Sequence, residues 1–204
     1  MLQKTTSSSA TTTAPARPGT SETGPRVARK SESPRLFPTK NDLPAATRTK
    51  VAELMNARLA DCIDLQTQCK QAHWNVKGPS FIALHKLFDD INVDVEGYVD
   101  LLAERVVQLG GIAEGTARMV AGRTTLDEYP MVADGEAHVD ALSSALAAFG
   151  GVTRKAIDKV DELGDADTVD ILTEVSRGVD KWLWFVEAHL HGESADRESS
   201  NASR

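Results

Sequence analysis

The chain has 204 residues, 41% of them hydrophobic, and a formal net charge of −7. This length is enough for one domain with a substantial core. No run of eighteen apolar residues is present, which excludes a predicted membrane span, and the N-terminus lacks the apolar segment of a secretory signal. Residues 1–40 hold seven basic and two acidic side chains, a net of +5, which leaves −12 for the remainder. A basic arm therefore precedes an acidic body.

Residues 1–44 are predicted to form a disordered arm. Nineteen of the first forty residues are Ser, Thr or Pro, so the segment cannot bury enough apolar surface to offset the entropy of ordering. Its basic residues favour contact with nucleic-acid phosphates, and they are Lys4, Arg17, Arg26, Arg29, Lys30, Arg35 and Lys40. Two alternatives stay open: a solubilising linker, or an organelle transit peptide, since the first twenty residues contain no acid.

Two long helices are predicted next. Helix one runs from about residue 45 to 77, where apolar residues recur at spacings of three and four. Helix two opens at Pro79 with Ser80 as N-cap and ends at Gly110 and Gly111. Cys62 and Cys69 share one face of helix one but lie too far apart to bridge each other. They are expected to be reduced core thiols of a cytosolic protein.

A connection of about 24 residues follows, with a short helix expected at residues 125–129. Helix three is predicted over 136–163, and helix four is capped by Asp165 or Asp167 and ends at Gly192.

Two helices, a long crossover and two further helices predict an all-α, ferritin-like four-helix bundle over residues 45–191. Residues 192–204 are predicted to be a frayed polar tail.

Helix two carries an acidic stripe that is separate from its apolar face. On a helical wheel with His85 at zero, Asp89 falls at about 40°, Asp100 at about 60° and Glu104 at about 100°. The apolar residues cluster around −90°. A metal site inside the bundle would need ligands on that apolar face. The acidic stripe instead points away from the core of the bundle.

His85 with Asp89, and Asp100 with Glu104, form two i, i+4 pairs that can each place two ligand atoms on one metal. The pairs are about 16 Å apart along one helix, so one ion cannot bind both. Two copies of helix two, antiparallel about a twofold axis, would bring the first pair of one copy to the second pair of the other.

His73, just before the turn at Gly78, can complete the set, and such mixed nitrogen and oxygen ligands suit iron, although zinc would also bind. Trp74 could pack over the site or take up an oxidising equivalent. Taken alone, His73 is more typical of a core or interface histidine than of a metal ligand, and Asp100 with Glu104 is more typical of a solvated face.

Three segments resemble the Dps family, the DNA-binding mini-ferritins of starved bacterial cells; they are KQAHWNVKGPSFIALHKLFDD (70–90), AERVVQLGG (103–111) and DTVDILTEVSRGVDKWLWFVEAHL (167–190). The resemblance covers residues 45–190. It implies a hollow homododecamer that oxidises Fe(II), preferably with hydrogen peroxide, stores ferric oxide inside and protects DNA. It makes His73, His85 and Asp89 metal ligands, paired across a twofold axis with Asp100 and Glu104.

The resemblance also implies that iron enters through acidic threefold pores, for which Asp167 and Asp170 are candidates. Arg105 and Asp180 match positions expected to form a buried structural pair. DNA binding would depend on the basic arm, in a protein of the cytoplasm and nucleoid. The rival hypothesis is a structural, nucleoid-compacting protein whose metal site is vestigial or holds zinc.

Overall fold

The computed structural model describes residues 36–190, and the predicted arm residues 1–35 and tail residues 192–204 lie outside this range. The described part is all-α, as predicted, with one isolated backbone bridge between Lys77 and Asp134. Its helices are α1 (Ala45–Asn75), α2 (Phe81–Gln108), α3 (Ala117–Ala121), α4 (Gly135–Glu162) and α5 (Ala166–Glu187). None of these helices is both long and apolar enough to cross a membrane.

The four long helices form a bundle in which α1 packs chiefly on α2 and α4 on α5. The apolar face predicted for α2 is buried there, with Leu84, Phe88 and Ile91 at most 3% exposed. Cys62 and Cys69 are free, buried thiols, and burial raises the pKa of Cys69 to about 12. The core therefore holds both thiols protonated, and their burial confirms the prediction of core thiols.

Helix starts follow the capping residues only in part. Asp165 caps α5 by accepting a hydrogen bond from the Thr168 amide, and Asp134 caps α4 in the same way. Ser80 stands at the N-cap position of α2, but its side chain makes no capping bond. Its backbone (φ −91°, ψ 14°) is not in the extended region from which a serine caps. α5 ends at Glu187, before the predicted Gly192, which lies outside the described residues.

The prediction of a helix at residues 125–129 is wrong, because the short helix of the crossover is α3, which lies earlier, at Ala117–Ala121. The backbone at 125–129 bonds to side chains of α1 instead of to itself. The Thr125 amide donates to Asp61 at 2.7 Å, and Gln68 donates to the carbonyl of Asp127 at 3.1 Å. Asp61 is fully buried, so these tertiary bonds replace the local helical ones.

Residues 36–44, which precede α1, contact the far end of α2. The amide of Phe37 donates to the Gly110 carbonyl at 2.7 Å, and Arg48 of α1 links Leu43 to α2 by donating to the carbonyls of Leu43 and Leu109, both at 3.0 Å. Gly110 has a φ of +85°, and a Cβ there would lie 2.6 Å from the Phe37 oxygen. Glycine is required at this position for both reasons.

Candidate metal centre

His73 and His85 face each other across the turn between α1 and α2. Their rings stack with centroids 3.7 Å apart. Nδ1 of each ring lies 2.8 Å from the backbone carbonyl of the other residue. Because a carbonyl only accepts, each Nδ1 carries the ring hydrogen, and each neutral imidazole keeps its lone pair on Nε2.

This arrangement is the one expected of histidines that bind a metal through Nε2. A ligating histidine commonly donates its other ring N–H to a carbonyl or carboxylate, which fixes both the tautomer and the ring orientation. Here the two carbonyls are those of the histidines themselves, so each residue orients the other. Gly78, with a φ of +107°, allows the turn that brings them together.

Asp89 lies beside the histidines but is held by a lysine. Its Oδ1 accepts a hydrogen bond from Lys70 Nζ at 2.6 Å and lies 3.9 Å from His73 Nδ1. The Lys70 hydrogen bond is the main reason that the pKa of Asp89 lies below its usual range. The carboxylate is therefore ionised and 46% exposed, and the Lys70 ammonium group is its counter-ion.

Asp100 and Glu104 are exposed on α2, away from this cluster. Among residues 36–190 of one chain, no three His, Cys, Asp or Glu side chains are grouped so as to hold a metal ion. One chain thus presents the stacked pair of His73 and His85, with Asp89 paired to Lys70 beside it, and, separately, the exposed Asp100 and Glu104.

Trp74 is 68% exposed, and no stacking of its ring on His73 or His85 is found among residues 36–190. The aromatic ring that contacts His85 is that of Phe81, with a centroid distance of 5.1 Å. Within one chain Trp74 therefore does not cover the two imidazoles, and Phe81 partly does.

Arg105 does not pair with Asp180, so that prediction is wrong. Its guanidinium donates to Asp165 at 2.7 Å and to Thr168 Oγ1 at 2.7 Å, all three being buried. Asp180 instead pairs on the surface with Arg154 at 2.8 Å. Arg105 lies near the end of α2 and meets the start of α5, whereas Asp180 is about 22 Å further along that helix.

The pore candidates Asp167 and Asp170 are exposed in the first turns of α5. Asp167 directly precedes Thr168, which Arg105 contacts, and a carboxylate oxygen of Asp167 lies 4.0 Å from the Arg105 guanidinium. Of the basic residues proposed for nucleic acid, Lys40 is described and exposed; the other six lie outside the described residues, and they are Lys4, Arg17, Arg26, Arg29, Lys30 and Arg35.

Sequence reasoning missed Lys70, which pairs with Asp89, and His138, a buried histidine outside the predicted ligand set. Lys70 lies on α1 nineteen positions before Asp89, so no local spacing signals their contact. His138 is buried in α4, where its Nδ1 lies 2.9 Å from the Tyr129 hydroxyl. The sequence gives one signal for His138, a histidine on an apolar helix face.

Comparison with known proteins assigns the fold to a family. A model of the ferritin-like domain matches residues 52–194. The DNA protection during starvation protein of Agrobacterium fabrum is 46% identical over 157 residues, which cover 76% of this chain and 97% of that protein. The protein of the same name from Mycolicibacterium smegmatis is 34% identical over 164 residues, covering 76% of this chain and 89% of that protein.

Solved structures agree. Mycobacterium smegmatis Dps in a tetragonal form superposes with a TM-score of 0.73 at 34% identity, covering 77% of this chain and 96% of that one. Dps from Microbacterium arborescens in its high iron form gives 0.68 at 33% identity, covering 76% and 99%. On identity, coverage and fold together, the chain belongs to the Dps family of ferritin-like proteins.

Proposed function

We propose that this protein is a Dps-type ferroxidase and iron-storage shell that oxidises Fe(II) at sites formed between two subunits. The observation that carries the proposal is the reciprocal bonding of His73 and His85, because it occupies both Nδ1 atoms and leaves Nε2 of each neutral imidazole free to bind a metal. Two imidazole nitrogens with carboxylate oxygens are a ligand set that suits iron. The family, and the likeness to a relative in a high iron form, support iron as the substrate.

The remaining ligands come from a second subunit. His73, His85 and Asp89 form one half of the site, and Asp100 with Glu104 of a twofold-related subunit form the other. The separation of about 16 Å along α2 prevents one chain from completing a site alone. A twofold axis repeats the arrangement, so each dimer has two equivalent sites.

Hydrogen peroxide is the proposed oxidant. Two Fe(II) ions give up one electron each, and the O–O bond of one peroxide breaks as it takes both electrons. Hydrolysis of the Fe(III) then yields ferric oxide and releases protons. Because the electrons are delivered as a pair, no hydroxyl radical is formed. Trp74, which is exposed and follows His73 in sequence, is the proposed acceptor of an oxidising equivalent that escapes.

The product is stored inside a homododecamer, and iron reaches the interior past acidic side chains. Asp167 and Asp170 are the candidates, because exposed carboxylates near one another attract divalent cations. The acidic body carries a net charge of −12, whereas residues 1–40 carry +5. The negative charge of the body also favours movement of Fe(II) toward the shell.

Substituting the carboxylate pair tests the ferroxidase. Asp100→Ala combined with Glu104→Ala is expected to lower peroxide-dependent Fe(II) oxidation by at least about tenfold, as loss of metal-site groups generally does. The matched control is Asp158→Ala with Glu162→Ala, an equally spaced and exposed pair on α4. If the first variant oxidised iron at the rate of the control, the ferroxidase assignment would be wrong and a vestigial or zinc-holding site would replace it.

DNA protection is proposed to include direct binding through the basic arm, in the cytoplasm and nucleoid. Twelve weak contacts on one shell add up by avidity, and their strength falls with salt because counterions are released. Since residues 36–44 contact α2, deletion of residues 1–35 should remove a gel shift at low salt and leave iron oxidation intact. An unchanged shift would contradict the role of the arm.

A further inference from the structure

Three aliphatic side chains are exposed on α2, on the same face as its acidic stripe. Ile82 is 59% exposed, Val93 60% and Val107 58%. Measured from His85 on the helical wheel, they fall at about 60°, 80° and 40°, in the sector of the acidic stripe. Single exposed aliphatic residues are common on protein surfaces, but a row of three along one helix face is typical of a surface that another protein covers.

The positions of Ile82 and Val107 match those of the two halves of the metal centre. Ile82 lies three residues before His85, and Val107 lies three residues after Glu104. Two antiparallel copies of α2 that place His85 opposite Glu104 of the partner subunit also place Ile82 opposite Val107 of the partner subunit. The reason is that both aliphatic residues are displaced outward by the same length, about 4.5 Å. A twofold axis repeats the contact at the second site.

Val93 and Gly97 lie where the two helices would cross. In this register the twofold axis passes between residues 94 and 95, so the two copies of Val93 are offset by only about 4.5 Å along the helices. Gly97 is exposed in the middle of α2, and a Cβ added there would meet no other packed element within 4 Å among residues 36–190. Glycine destabilises a helix relative to alanine, and no contact within the described chain requires it here. The missing side chain leaves room for a second helix.

The charges around Asp89 allow a second copy to approach this face. In the same register Asp100 of the partner subunit lies opposite Asp89, and two bare carboxylates would repel each other. The ammonium group of Lys70 lies 2.6 Å from Asp89, so it offsets that repulsion before any metal binds. Burial of the aliphatic side chains adds hydrophobic stabilisation.

We propose that this face of α2 binds a second copy of the chain, with Ile82 packed on Val107 of the partner subunit and Val93 at the twofold axis, and that these contacts fix the register of the metal centre. The inference rests on the proposed function, because it takes its register from the two halves of that site. A slip of one helical turn, about 5.4 Å, would separate the ligands and the aliphatic pairs together. The contacts at both ends of the interface therefore hold the site assembled before a metal binds.

Cysteine cross-linking with a short bismaleimide tests this register in the full-length, metal-free protein. Ile82→Cys combined with Val107→Cys should give a covalent dimer on a denaturing gel, whereas either substitution alone should not. The two positions are 25 residues apart in one chain, about 37 Å along α2, so a short reagent cannot join them within a chain or join two copies of one position. The native Cys62 and Cys69 are buried, so wild-type protein should run as a monomer.

Val93→Cys examines the twofold axis. It should give a covalent dimer by itself, because its two copies lie close together across the axis. Ile112→Cys is the matched control, since Ile112 is similarly exposed at 56% but lies after the end of α2. Equal yields of dimer from the two variants would show that exposure alone accounts for the product, and would overturn the assignment of the axis.

The outcomes separate this inference from the proposed function. A dimer from the paired cysteines, but not from Ile82→Cys or Val107→Cys alone, supports the register. No dimer from the paired cysteines, or a dimer from Ile82→Cys alone, would overturn it. Binding of Co(II) by wild-type protein, followed by visible absorption, tests the metal centre without an oxidant. Protein that cross-links as expected but binds no Co(II) would overturn only the metal centre, and protein that binds Co(II) without the expected cross-links would overturn only the register.

Discussion

His73 and His85 each donate the Nδ1 hydrogen to the backbone carbonyl of the other, at 2.8 Å in both directions. The orientation of the two imidazoles is thus set by one backbone carbonyl near the end of α1 and one near the start of α2, on either side of the turn. Little side-chain entropy is then lost when a metal binds, because the rings are already ordered. The turn supplies half of a metal centre, and the rest must come from elsewhere.

The first prediction concerns where the other half lies. A chain with His73→Ala and His85→Ala, and a chain with Asp100→Ala and Glu104→Ala, should each be inactive alone. When the two are co-assembled in equal amounts, half of the dimers are mixed, and each mixed dimer has one intact and one doubly damaged site. Fe(II) oxidation should therefore return to about a quarter of the wild-type rate.

The measurement is the initial rate of peroxide-dependent oxidation after joint refolding or co-expression, with the two inactive oligomers mixed after assembly as control. Recovery in the co-assembled sample but not in the control supports a shared site. A site formed within one chain predicts no recovery in either sample, and that result would end the shared-site proposal.

The second prediction concerns Lys70, which competes with a cation for Asp89. Lys70→Met should tighten Co(II) binding by a few fold, since a partly exposed ion pair is worth at most about 1 kcal/mol. Lys86→Met is the control, because Lys86 is an exposed lysine next to His85 in sequence, and no ion pair of Lys86 is found among the described residues. Equal tightening in both variants would show that net charge, not the contact with Asp89, is responsible.

Lys70 and the acidic stripe of α2 show what can and cannot be predicted from the sequence. The stripe is periodic along one helix, so the relative directions of His85, Asp89, Asp100 and Glu104 follow from helical geometry alone. Lys70 meets Asp89 only because α1 and α2 pack side by side, and periodicity does not give the rotation of one helix against another. The pairing across a twofold axis needs a second chain and stays a prediction.

The crossover and Arg105 illustrate the same limit. Residues 125–129 have a composition that permits a helix, but Asp61 and Gln68 of α1 bind their backbone instead. Arg105 has two possible partners, Asp165 at the N-cap of α5 and Asp180 within α5. The sequence of the helices alone does not indicate which of these carboxylates it contacts. The choice depends on which ends of α2 and α5 meet, which is a property of the packed bundle.

The third prediction follows from that choice. Arg105→Met should lower the free energy of unfolding by about 3–5 kcal/mol, because it leaves the buried carboxylate of Asp165 without its counter-ion. Asp180→Ala, which removes an exposed pair with Arg154, should cost at most about 1 kcal/mol. Urea unfolding followed by circular dichroism measures both. Equal effects would mean that Asp165 is compensated by other groups.

The fourth prediction concerns stability at acidic pH and His138. Burial lowers the pKa of His138 below its usual 6.5, so between these values the unfolded chain binds a proton that the folded chain does not. The free energy of unfolding should then fall as pH drops below about 6.5, by up to about 1.4 kcal/mol per pH unit, and level off below the lowered pKa.

His138→Gln has no proton to bind, so its unfolding free energy should lack this part of the pH dependence. The difference between wild type and variant should therefore be largest near neutral pH and shrink as the solution is acidified, in metal-free urea titrations. If the difference in unfolding free energy between wild type and His138→Gln were the same at every pH, His138 would have the same pKa in the folded and unfolded states. Its burial would then not determine stability at acidic pH.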